Sequence, residues 1–131
     1  MAQVLAKNRK IGFINKKGKI YLITTNMNIQ FTGAITKNVE LKETILDGEH
    51  ILHNKKGEFI NLYAAFDIYI INKKNVRSNA FIPLEDETNP VLNKYRLPLL
   101  VNVVQQLNPI SVVNEGLSPI RIENKKHPFH C

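Results

Sequence analysis

Two carboxylates and a glycine interrupt the apolar, β-branched stretch TILDGEHIL at residues 44–52. On a strand, residues i and i+2 project from one face. Asp47 and Glu49 therefore point together, flanked by Ile45 and Ile51, while Leu46, His50 and Leu52 face the other way. A buried carboxylate pair is costly unless a cation, hydrogen-bond donors or protonation offsets it. A Mg²⁺ ion, a lysine or a ribose hydroxyl would each serve. Gly48, between the acids, lets a backbone or a ligand approach closely. An edge strand with both acids in water satisfies the same spacing, and spacing alone slightly favours it.

The next β-rich run, LYAAFDIYII, carries a third acid, Asp67, directly after Phe66. Alternation places Phe66 with Ala64 and Ile68 on one face, and Asp67 with Tyr69 on the other. An aromatic ring beside an acid-bearing strand can stack on a base, worth ~1–3 kcal/mol on nucleic-acid platforms. A phenylalanine in a strand is nevertheless most often core.

The elements that must hold these residues read as hairpins. KIGFIN and KIYLITT flank KKG, with Gly18 free to take positive φ, and TILDGEHILHN and EFINLYAAFDIYIIN flank a second KKG at 55–57. The recurring NKK at 15–17, 54–56 and 72–74 reads as solvated turns. Residues 82–93, IPLEDETNPVLN, form an internal polar connector bounded by proline. YRLPLLVNVVQQL then changes period: Leu100, Val103, Val104 and Leu107 fall at helical spacing, Pro98 suits a first turn, and Pro109 closes the helix. SPIRIENKK alternates and predicts a last short strand. The fold class is α+β: an antiparallel, hairpin-rich domain with one C-terminal helix and a final short strand.

At 131 residues the chain is one domain or part of one. No apolar run approaches the ~18–20 residues of a membrane helix, and the N-terminus lacks a signal-peptide core. The single cysteine, Cys131, excludes an internal disulfide and fits an intracellular, reducing compartment. His127, His130 and Cys131 have no fourth ligand nearby and read as a frayed terminus rather than a zinc site. The formal charge of +7 suits a polyanionic partner as well as it suits a merely soluble surface.

The order KIYLITTNMNIQFTG, ILDGEHI, YAAFDIYIINKKNVR resembles mRNA capping enzymes, the guanylyltransferase branch of the covalent nucleotidyltransferases that includes the ligases. The viral form is the most similar. LDGE resembles the family's third motif and FDI the following one. The later YRLPLLVNVVQQLNP and SPIRIENKK sit where these enzymes carry a helix and a strand. The resemblance implies a nucleotidyltransferase-type domain over 1–131, in which GMP passes from GTP through a lysine adduct to the 5′ end of RNA. It implies Mg²⁺ or Mn²⁺ with GTP, and GTP and an RNA 5′ end as partners. It also implies the remaining domains, or another subunit, of a capping enzyme. No membrane is implied. The location would be a cytoplasmic virus factory or virion.

By resemblance, Arg9, Glu49 and Phe66 bind nucleotide. Glu49 serves the ribose and metal side, Phe66 stacks on guanine, and Asp47, Gly48 and Asp67 support them. The nucleophile should lie in K-x-D-G-x-R ending at Arg9, but the sequence there is VLAKNR. Lys7 and Lys10 are nearby and neither precedes Asp-Gly, so no catalytic residue is assigned. The family's later glutamate and lysine strands, and its oligonucleotide-binding domain, have no counterpart after IENKK. The expectation is an incomplete domain, inactive alone. Two other readings stay open: a non-catalytic basic module that holds RNA or a subunit, and a relic of the ATP-dependent ligase branch.

Overall fold

Short polar turns and alternating strands build most of the chain. The computed structural model describes residues 8–81, 95–113 and 119–125. The 82–93 connector and the His127, His130 and Cys131 tail lie outside them. Strands β1 (Arg9–Ile14), β2 (Lys19–Thr24), β3 (Ile29–Ile35), β4 (Thr44–His53) and β5 (Phe59–Ile71) are followed by β6 (Lys74–Asn75). Helix α1 (Arg96–Leu107), β7 (Ile110–Ser111) and β8 (Arg121–Asn124) complete the described elements. The sheet runs in the order β6-β5-β4-β1-β2-β3-β7, with β8 added beside β5. All pairs are antiparallel except β5 with β8. The architecture is α+β, mostly an antiparallel sheet with one α-helix among the described residues.

The NKK triplets at 15–17, 54–56 and 72–74 are turns. In the first, Asn15 Oδ1 accepts from the backbone N–H groups of Lys17 and Lys19, both at 2.9 Å, and Gly18 takes φ 84°. Asn54 repeats this with Lys56 and Glu58, and Gly57 takes φ 82°. An asparagine side chain that mimics the turn's backbone acceptor explains why both sequences read N-K-K-G. At 72–73 both Asn72 and Lys73 have positive φ, a tight hairpin turn.

Helix α1 buries Leu100, Val103 and Leu107 against Leu46, Tyr63, Ala65 and Ile68 of the sheet, with Ile14, Ile20, Leu22 and Ala34 continuing the core. Its first N–H groups are satisfied by Ala80 and Phe81 carbonyls. At its end Asn108 takes a left-handed conformation before Pro109, and the Thr36 hydroxyl donates to the Leu107 carbonyl at 2.7 Å. The final predicted strand exists, but as a parallel partner of β5. Parallel neighbours require a crossover, which α1 supplies between β5 and β8. This crossover covers one face of the sheet. The other face carries Ile11, Phe13, Tyr21, Ile23 and Ile45, all half-buried.

Among the described residues, no helix is long and apolar enough to cross a membrane.

Candidate functional site

Strand β4 lies inside the sheet between β1 and β5, so the edge-strand alternative for its acids is not what forms. Asp47 is 1% exposed. Arg9, across on β1, grips it through Nε at 3.0 and 3.1 Å and Nη2 at 2.6 Å. The Tyr69 hydroxyl on β5 donates to Asp47 Oδ2 at 2.5 Å. These contacts use both carboxylate oxygens in charge-assisted bonds. The Asp47 hydrogen bonds and charge hold the Arg9 guanidinium in its protonated form more firmly than usual. Burial, then the Asp47 bond and charge, push the Tyr69 hydroxyl up to about 12.

Asp67 faces Asp47 across the strand pair. Like charges opposite one another are unfavourable, and each acid has its own arginine. Arg96, at the start of α1, donates from Nε to Asp67 Oδ1 at 2.9 Å and from Nη1 to the carbonyls of Arg77 and Asn79. The Ile68 N–H adds a bond to Asp67 at 2.8 Å.

Glu49 has a shallower environment. Its partner is Lys125, just after β8, with Nζ 3.1 Å from Oε1. The same ammonium lies 5.7 Å from the centroid of the Phe66 ring. Lys125 is placed there because its N–H continues the β8 ladder onto the Ala65 carbonyl at 2.7 Å. Acid, ring and cation therefore form one cluster beside the Arg9–Asp47 pair.

Phe66 reaches this side through a register break. Glu49 pairs with Ala64 and Gly48 with Ala65, but Asp47 pairs with Asp67 and Leu46 with Ile68. One extra residue on β5 fits opposite β4, the signature of a bulge. Strict alternation, which put Ala64, Phe66 and Ile68 on one face, is thus incorrect: Ile68 is in the core while Ala64 pairs with Glu49. Gly48 permits the close pairing. A Cβ there would sit 2.7 Å from both the Ala64 carbonyl oxygen and Tyr63 Cζ.

Lys10, one of the lysines near the missing motif, points to the opposite face. Its Nζ lies 3.2 Å from Gln30 Oε1 and 3.1 Å from His50 Nδ1, and His50 Nε2 lies 2.8 Å from Asn61 Oδ1. An ammonium has only donors, so His50 accepts through Nδ1 and donates through Nε2. Burial, and the charge of Lys10, lower the His50 pKa. Lys7 lies outside the described residues.

Arg9, Asp47, Gly48, Glu49, Phe66 and Asp67 are all found on the adjacent strands β1, β4 and β5. Lys125 and Arg96 lie far along the chain from the acids they pair with, so motif spacing does not reveal them, and alternation reveals only that Tyr69 shares a face with Asp67. Among the described residues no three His, Cys, Asp or Glu side chains converge as a metal cage. Asp47 is buried with both oxygens hydrogen-bonded, while Asp67 and Glu49 are each paired with a cation and partly exposed, at 18% and 21%. One carboxylate with substrate phosphates and water is a common way to hold Mg²⁺, so the donor set fits a metal carried in with a nucleotide. No known family model matches the chain, and no curated protein is similar to it in sequence.

Proposed function

We propose that this chain is the nucleoside-binding part of a guanylyltransferase-type domain of the mRNA capping class, and that it forms no covalent GMP adduct by itself. One observation carries the reading: Glu49 and Phe66, from the two motif-like stretches, share a single cation, Lys125, beside the Arg9–Asp47 pair. That cluster offers a ring to stack on a base, a carboxylate to accept from ribose hydroxyls, and an arginine held at their flank.

In this reading Phe66 stacks on guanine, Glu49 accepts from the ribose, and Asp47 orients Arg9. Gly48 keeps β4 and β5 close enough for that arrangement. Glu49 and the nucleotide phosphates would hold Mg²⁺, which screens phosphate charge when bound. The covalent step needs a neutral lysine at the α-phosphate. VLAKNR supplies no K-x-D-G before Arg9, and Lys10 faces away from the cluster.

The test is titration of a fluorescent GTP analogue with Mg²⁺ against the chain and its Glu49→Ala and Phe66→Ala variants. Saturable binding, weakened about tenfold or more by each variant, is expected, since a stacked base is worth ~1–3 kcal/mol. GTP should compete better than ATP; the reverse order would favour the ligase branch. No binding at millimolar GTP, or binding indifferent to both variants, overturns the proposal. Radiolabelled GTP should leave no label on the denatured chain. A labelled band lost on Lys7→Ala or Lys10→Ala would overturn the claim of inactivity.

A further inference from the structure

The face of the sheet opposite α1 carries a second feature, away from Glu49. Phe13, Tyr21 and Phe31 lie directly opposite one another on β1, β2 and β3. Their ring centroids are 6.4 and 5.3 Å apart, tilted by 31° and 45°. Phe31, at the end of the row, is 40% exposed, and Lys19 Nζ stands 5.7 Å from its centroid. Ring–ring contact across three strands, on a face that no helix covers among the described residues, forms a ladder.

Lysines gather at one end of this ladder. Lys16, Lys17 and Lys19 belong to the Asn15–Gly18 turn and its exit, and are exposed. The Thr36 N–H donates to the Gly18 carbonyl at 2.8 Å, which brings the exposed Lys37 to the same corner. The Lys42 side chain passes beside Gly18. The acids in this stretch of chain are Glu40 and Glu43, and Glu43 is paired with Lys73 at 3.3 Å. Five lysines thus gather around the Gly18 corner, and one of them, Lys19, reaches the ring at the end of the ladder.

We infer that this face binds a single-stranded polynucleotide, with bases stacking along Phe31, Tyr21 and Phe13 and phosphates held by the lysine corner. Aromatic platforms beside a cationic track are the recurring chemistry of single-strand binding. A duplex hides its base faces from such rings. A protein partner is a poorer fit, because lysine is depleted from protein interfaces. The inference is independent of the nucleotide pocket, since none of these residues touches Glu49 or Phe66.

Fluorescence anisotropy with labelled 12-mers of oligo(U), oligo(dT) and a blunt duplex tests it, at 50 and 200 mM KCl. Both single strands should bind better than the duplex; a preference for oligo(U) assigns RNA, and parity assigns the chemistry that RNA and DNA share. Phe31→Ala should weaken single-strand binding about tenfold and Phe31→Trp should restore it. Lys16, Lys17 and Lys19 changed together to Gln should reduce the salt slope by about 2, at ~0.7 per phosphate contact. These lysines are exposed, so this variant keeps the fold and the test decisive even if Phe31→Ala unfolds. Duplex binding equal to single-strand binding, an unchanged salt slope, or no binding at 50 mM KCl would each overturn the inference.

Discussion

Asp47 and Glu49 stand two residues apart on one face of one strand, yet they occupy opposite electrostatic settings. Asp47 is enclosed by Arg9 and Tyr69, with Asp67 and its arginine opposite. Glu49 meets one lysine whose side chain is 42% exposed. Both acids pair with β1 and β5, so the difference comes from the side chains around them. Arg9 and Tyr69 turn to Asp47, whereas Glu49 lies opposite Arg9 at the first residue of β1 and opposite Ala64, where Lys125 follows β8. A buried, fully bonded acid holds structure. An acid with a single replaceable partner is free to exchange that partner for a ligand.

The sharpest way to break the contrast is Asp47→Ala. It leaves the Arg9 guanidinium and the Tyr69 hydroxyl facing a gap. Removing one member of a buried pair costs ~3–5 kcal/mol, and the lower end, about 3 kcal/mol, is expected because Arg9 can turn toward water. Urea unfolding measures it. A loss below about 1 kcal/mol would show that Asp47 is no more structural than Glu49.

Next in size is Gly48→Ala. The added methyl would press within 2.7 Å of a backbone oxygen and of the Tyr63 ring. Overpacking usually costs ~1–3 kcal/mol; about 2 kcal/mol is expected here, since the carbonyl cannot rotate away. Tyr63 is itself fixed by its hydroxyl donating to the Lys10 carbonyl at 2.7 Å. A neutral outcome would mean that β4 and β5 can separate without loss.

Tyr69→Phe removes a hydrogen bond to a charged group, expected to cost about 1.5 kcal/mol near neutral pH. Its pH dependence gives a second check. The folded-state value of about 12 lies above the ordinary 10, so the folded chain holds this proton more tightly than the unfolded chain. The contribution is therefore complete below pH 10 and is lost as pH rises from 10 through 12. Stability of Tyr69→Phe should fall less steeply across that window. Identical slopes in the two proteins would remove Tyr69 from the Asp47 network.

How much of this was legible beforehand follows from how local each cause is. The N-K-K-G turns, the alternating strands and the helix are set by neighbours in sequence, and they were readable. So was the shared face of Asp47 and Glu49, which needs only the strand period. Strand β3 is hard to see in the sequence, because Gly33 at φ 81° breaks its pattern and its first three residues are exposed. The parallel placement of β8 depends on a crossover that no local pattern encodes. The bulge at Phe66 exists only in the pairing of two strands. Lys125 is 76 residues from Glu49 and Arg96 is 29 from Asp67, so no motif spacing links either cation to its acid. The membership of the acid cluster was legible, and its counter-ions were not.

The smallest stability effect belongs to Glu49→Gln, and it sharpens the comparison most. The Glu49–Lys125 pair is partly solvated, and such pairs contribute ~0–1 kcal/mol, so the urea midpoint should barely move. Nucleotide affinity, under the proposed function, should fall about tenfold, because the amide keeps the shape of the side chain but loses the charge that accepts from ribose and faces the metal. Stability and binding thus separate at Glu49 and would not separate at Asp47. Measuring both quantities on both variants decides the matter. If Glu49→Gln unfolds as readily as Asp47→Ala, the two acids form one structural unit and neither is held for a ligand. If it leaves both stability and GTP binding unchanged, the cluster of Glu49, Phe66 and Lys125 is an ordinary surface ion pair beside a ring.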